Sequence, residues 1–197
     1  VAHDLGVGVD TDNAAVLHHL GEDATRHDGV REIKEPSKRV VEGIRAAAGV
    51  PEAHLVVLGE GETAAEVDRV ATACLGQRFR RMTLQRGQMP AAYRCADAVL
   101  HMSKDEPFGN VYIEALATGL PVVAHDCDVT RWILGGTSVL VDTDDAESVR
   151  AGIVGALQSR APELVASRRE HAKQRFGWPA IGQQYAQFIR GVVERVS

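Results

Sequence analysis

The chain has 197 residues, 45% hydrophobic and 25% charged, with a net charge of −5. That is enough for one well-packed domain with terminal additions, or at most two small ones. The sequence excludes an apolar run of the roughly 20 residues a membrane helix needs, and its acidic balance argues against nucleic acid as the main partner.

Val1 to Asp12 lacks both the basic-then-apolar order of a signal peptide and an initiator Met. The expectation is that the chain is an excised piece. Ser37 is placed to cap a helix whose apolar positions Val40, Val41, Ile44 and Ala47 fall at helical spacing, with Pro51 beyond its end. His54 to Leu58 is a short apolar run, closed by Gly59-Glu60-Gly61. Thr63 caps a second helix with Glu66 at the capping-box position and Val67, Val70 and Leu75 on its apolar side. Met82 to Leu84 reads as a strand, Pro90 to Ala96 as a short helix and Ala98 to Met102 as a strand. Gly109 to Thr118 is helical and closed by Gly119; Pro121 to Ala124 and Val139 to Val141 are strands; Ala146 to Gln158 is an amphipathic helix, followed by polar helical stretches.

Short apolar strands buried on both faces and separated by helices specify an α/β fold, a Rossmann-like parallel sheet flanked by helices with right-handed crossovers. Ligands of such sheets bind beyond the carboxyl ends of the strands. The loops of interest are therefore Gly59–Glu62, Gln85–Met89, Ser103–Asn110 and His125–Asp128.

The third of these loops carries the chemistry. Glu106 precedes a helix and Glu114 sits inside it, with seven residues between them and Phe108-Gly109 in the interval. The amides of Gly109, Asn110 and Val111 fall in the first helical turn, where they lack intrahelical acceptors and the helix dipole adds positive potential. That is an anion site suited to a diphosphate, and glycine permits close backbone approach. Carboxylates beside it would repel phosphate, so they are expected to accept hydrogen bonds from sugar and ribose hydroxyls.

The stretch Tyr93 to His125 (YRCADAVLHMSKDEPFGNVYIEALATGLPVVAH) resembles retaining glycosyltransferases of the large two-Rossmann-domain family that includes sucrose synthase and bacterial mannosyltransferases (glycosyltransferase family 4-like). The resemblance runs from about Ser37 to Asp145 and more loosely to the end. It implies the C-terminal half of a two-domain GT-B fold. Residues 1–28 would be a domain-junction segment, 29–175 the nucleotide-sugar-binding domain, and 176–197 a terminal helix crossing back to an N-terminal acceptor-binding domain outside this chain.

By matching position, the resemblance makes Glu106 the residue that contacts the donor sugar and Lys38 the cation that neutralises the diphosphate. Phe108, Gly109 and Asn110 form the loop on sugar and diphosphate, and Val111 follows them with its amide in the first helical turn. Glu114 binds the ribose, Gln88 and Met89 belong to the loop that contacts the base, and Arg31 is the matching arginine. The implied reaction transfers a sugar from a nucleotide diphosphate sugar to an acceptor hydroxyl with retention, the diphosphate leaving from C1. The competing readings are a nucleotide-sugar-binding module without turnover and a nucleotide-sugar epimerase of similar architecture.

The chain departs from the family pattern in the charged run Asp28 to Lys34, in Asp126-Cys127-Asp128-Val129 where relatives have a glycine pair, and in His101-Met102-Ser103 where a proline commonly precedes the serine. No metal or other cofactor is expected. Asp10-Thr11-Asp12, Asp126-Cys127-Asp128 and Asp142-Thr143-Asp144 read as turns and helix caps. Cys74, Cys95 and Cys127 are odd in number and lack CxxC spacing, so neither a disulfide framework nor a zinc site is expected, and a reducing, cytoplasmic setting is. Arginine outnumbers lysine 18 to 4, which points to a bacterial source.

Overall fold

The computed structural model describes residues 14–21, 38–51 and 53–196. Six parallel strands form one sheet in the order β3-β2-β1-β4-β5-β6. They are β1 (Ala14–Gly21), β2 (Ala53–Gly59), β3 (Phe79–Met82), β4 (Ala98–His101), β5 (Val122–His125) and β6 (Val139–Val141). Among the described residues eight α-helices accompany them: α1 (Val40–Ala48), α2 (Ala64–Leu75), α3 (Met89–Arg94), α4 (Asn110–Thr118), α5 (Asp128–Leu134), α6 (Ala146–Gln158), α7 (Pro162–Phe176) and α8 (Trp178–Val196).

Successive strand residues point to opposite faces, and both faces are covered. Leu55, Val57, Ala98, Leu100 and Val123 pack on one side with Val40 and Ile44 of α1, Val67 of α2 and Ile153 of α6. Val56, Leu58, Val99, Val122 and Ala124 pack on the other with Tyr93, Tyr112, Leu116, Ile133 and Ala172. Each buried valine or leucine removed from water contributes roughly 1.5–3 kcal/mol, which is why the interiors of β2, β4 and β5 read as apolar runs.

Three boundaries differ from the sequence expectation. First, Ala14–Gly21, inside the segment read as a domain junction, is a strand lying between β2 and β4, so the sheet begins before residue 29. His18 and His19 interrupt the apolar run that would have marked it. Second, β3 is Phe79–Met82 rather than Met82–Leu84. It is an edge strand, and edges tolerate charge. Arg80 is exposed, and Arg81 ties to Asp68 of α2 at 2.7 Å, so no apolar run marks the strand. Third, Asp128–Leu134 forms a helix that begins at the end of the expected loop His125–Asp128, in a stretch to which the sequence assigned no element; it is seven residues long and ends at Gly135, whose φ of 54° is the left-handed stop typical of helix termini. The charged run 28–34 and the capping Ser37 lie outside the described residues.

The strand order reverses between β1 and β4, which makes the gap beyond their carboxyl ends the topological switch point where ligands of open α/β sheets bind. Lys38 stands just before α1, the first helix after β1 among the described residues, and the loop after β4 supplies Glu106.

Candidate functional site

At the switch point, Lys38 Nζ donates to Glu106 Oε2 at 2.6 Å, and His101 Nε2 lies 3.0 Å from the same oxygen. The lysine and glutamate side chains are 17% and 14% exposed, and the histidine is 1% exposed. Burial alone would raise the Glu106 carboxyl, but hydrogen bonds from His101 and Lys38, reinforced by the ammonium charge, outweigh it and hold the group down at about 2. His101 is pushed below the usual histidine value, chiefly by burial. At neutral pH Glu106 is therefore a carboxylate and His101 a neutral imidazole.

Gly109 is the hinge between Glu106 and α4. Its φ is 65°, and a Cβ there would sit 2.5 Å from the Tyr112 ring and 3.0 Å from Glu106 Cγ. Only glycine fits. The turn brings the first amides of the nine-residue α4 to the edge of the site; Asn110 is exposed and Val111 is buried. One turn further on, Glu114 is exposed at the surface, where the Tyr93 hydroxyl donates to its Oε2 at 2.9 Å. Tyr93 is buried, and burial with the Glu114 charge pushes its hydroxyl pKa well up, so it remains a donor.

The other predicted site residues are arranged less directly. Phe108 is 45% exposed and packs against Trp132 and Phe176 at 6.4 and 6.3 Å between ring centroids. Gln88 is exposed, and its side-chain carbonyl accepts from the Gln85 amide at 2.9 Å, capping the short 3-10 turn Arg86–Gln88. Met89 is partly buried against the core beneath α3 and α4. Arg31 lies outside the described residues.

A second polar cluster, not expected from the sequence, borders the site. Arg39 Nη1 donates to Thr143 Oγ1 at 2.8 Å and Nη2 to the Thr143 carbonyl at 3.1 Å, and Nη2 pairs with Asp144 at 3.0 Å. Lys104 also bonds Asp144, and Thr143 Oγ1 meets His125 Nδ1 at 3.0 Å. Arg39 is the one non-glycine residue with positive φ among the described residues, at 50°. The strained turn sets Lys38 on the Glu106 side while its own guanidinium grips the loop after β6. In the sequence, Arg39 shows only as one more basic residue beside Lys38, and His101 only as a polar ending to an apolar strand. Asp142 caps its own turn by accepting from the Asp144 amide at 2.9 Å. Among the described residues no group of three or more His, Cys, Asp or Glu is placed to hold a metal, and no helix is long and apolar enough to cross a membrane.

Comparison with known proteins bears on this geometry. The family described as "Glycosyl transferases group 1" matches residues 17–159. The chain is 30% identical over 151 residues to the lipopolysaccharide core biosynthesis glycosyltransferase LpsE of Rhizobium meliloti (strain 1021), covering 74% of this chain and 44% of that protein. It is 36% identical over 148 residues to a D-inositol 3-phosphate glycosyltransferase of Xylanimonas cellulosilytica, covering 68% of this chain and 35% of that one. Among solved structures, sucrose-phosphate synthase from Thermosynechococcus elongatus superposes with a TM-score of 0.75 at 25% identity, over 98% of this chain and 49% of that one. HepE of Anabaena, solved in complex with UDP, gives a TM-score of 0.77 at 22% identity, over 96% of this chain and 51% of that one. The chain thus spans less than half the length of these two sequence relatives and about half of the two structures.

Proposed function

The chain belongs to the group 1 glycosyl transferases, and from that premise we propose that it is the donor-binding half of an enzyme that moves a sugar from a nucleotide diphosphate sugar to an acceptor hydroxyl with retention. The observation that carries the reading is the Lys38–Glu106 pair at the switch point, beside the N-terminus of α4. A lysine, a glycine-led helix N-terminus and a carboxylate in one place suit a diphosphate next to a sugar.

In this reading the donor diphosphate takes the Lys38 ammonium away from Glu106 and lies against the first amides of α4. Glu106, released, accepts from hydroxyls of the donor sugar, and Glu114, held by Tyr93, accepts from the ribose. Cleavage of the C1–O bond sends its electron pair to the departing diphosphate, where Lys38, Arg31 and the helix amides stabilise the growing charge. The acceptor oxygen bonds to C1 from the face the diphosphate leaves, and its proton goes to a departing phosphate oxygen. Gln88 and Met89 border the base, and Phe108 the sugar-binding loop. Lysine and helix amides supply the positive potential, so no metal is required. The acceptor side belongs to an N-terminal domain, against which α8 would lie. Three free cysteines, Cys74, Cys95 and Cys127, suit the reducing cytoplasm of a bacterium.

The test uses the complete enzyme and measures release of UDP or GDP from a panel of UDP- and GDP-hexoses, with and without chelator. One donor should turn over without metal, and Glu106→Gln should reduce that turnover by about 10²-fold or more. Full turnover in Glu106→Gln, or complete loss with chelator, contradicts the reading.

A further inference from the structure

The Glu106 carboxylate is held twice at one oxygen, by groups with different freedom. Lys38 Nζ and His101 Nε2 both reach Oε2. The ammonium ends a flexible stem and, in the function proposed above, leaves for the diphosphate. The imidazole cannot leave. It closes β4 and packs edge-on against the Tyr112 ring, with 5.1 Å between centroids and an interplanar angle of 88°. Tyr112, fully buried, lies under Gly109.

The chemistry fixes the tautomer. An ionised carboxylate only accepts, so His101 presents Nε2–H to it. Nδ1 is then an acceptor, and it is buried without a hydrogen-bond partner, as are the hydroxyls of Ser103 and Tyr112. A buried polar atom left unsatisfied costs on the order of 1–3 kcal/mol. The other residues of β4, Ala98, Val99 and Leu100, are apolar and buried and incur no such cost. Among the described residues, what the imidazole gains in return is its bond to Glu106. The charged groups that face it are Glu106 and Lys38.

We propose that His101 is the positioning residue for Glu106, its Nε2–H holding Oε2 in place for the donor sugar once Lys38 has moved to the diphosphate. The proposal rests on the donor-site reading above and adds a residue to it. Without the imidazole, the carboxylate of the donor-bound site would be free to swing, and misplacement of a sugar-orienting group by about 1 Å costs on the order of 10²-fold in rate.

Two substitutions separate positioning from packing. The amide nitrogen of His101→Gln falls near Nε2, whereas that of His101→Asn falls near Nδ1 and does not reach Glu106. In the complete enzyme, with whichever UDP- or GDP-hexose it turns over, His101→Asn should lower kcat by about 10²-fold with donor KM changed by less than about threefold. His101→Gln should keep kcat within about tenfold of the wild type, and the two variants should share one Tm. Equal losses in the two variants, or wild-type kcat in His101→Asn, overturn the proposal. Glu106→Gln, assayed in parallel, separates the two levels. If it loses turnover while His101→Asn does not, only the positioning role fails. If it keeps full turnover, the donor-site reading itself fails.

Discussion

Glu106 and His101 tie the chemistry of the site to acid stability. Because the folded Glu106 carboxyl titrates at about 2 rather than 4.5, the unfolded chain takes up its proton first as pH falls. The stability this contributes is complete above about pH 4.5 and lost on approach to pH 2. His101 acts in the same direction at higher pH: its folded value lies below 6.5, so protonation favours the unfolded chain as pH drops through 6.5. Urea unfolding at several pH values should therefore show stability falling from near pH 6.5 downward, with a shallower slope in His101→Gln. In Glu106→Gln the dependence between about pH 4.5 and 2 should flatten. Unchanged slopes in both variants would contradict the Lys38–Glu106–His101 arrangement. Glu106, Gly109 and Glu114 were legible in the sequence because their spacing around a helix start carries a chemical meaning. His101, Arg39 and Thr143 were not, because their roles rest on contacts across 5 to 104 positions of chain.

At the scale of elements, two backbone turns aim the site, and both stand at left-handed φ. Gly109 opens α4 and Arg39 opens α1. Gly109→Ala places a methyl 2.5 Å from the Tyr112 ring at a φ of 65° and should cost about 2–3 kcal/mol by urea denaturation. Arg39→Ala keeps the strained φ and loses the grip on Thr143 and Asp144, whereas Arg39→Gly loses the grip but relieves the strain. The glycine variant should be more stable than the alanine variant by about 1 kcal/mol. The reverse order would contradict the strained turn. Elements with long apolar runs, such as β2 and β4, were legible in the sequence. The edge strand β3 hid its pattern behind arginines, α5 was too short for a periodic signal, and β1 was masked by His18-His19.

At the scale of the whole molecule, the helix α8 carries Tyr185, Phe188, Ile189, Val192 and Val193 along one stripe, all exposed. A terminal helix over 176–197 was legible in the sequence; its exposed stripe was not, and the chain spans only part of its relatives' length. Replacing Phe188 and Ile189 with serine should change the stability of this chain by no more than about 0.5 kcal/mol per site, while destabilising a complete enzyme in which a second domain covers the stripe. Equal effects in both would contradict that arrangement. Whether the switch point between β1 and β4 is a nucleotide-sugar site is decided by calorimetric titration of this chain. The ligands are UDP, GDP and their hexose conjugates, with and without chelator, against wild type and Glu114→Ala. Saturable binding that survives chelator and weakens about tenfold or more in the variant is the predicted result. A folded chain that binds none of these ligands, or binds them equally well without Glu114, would contradict it.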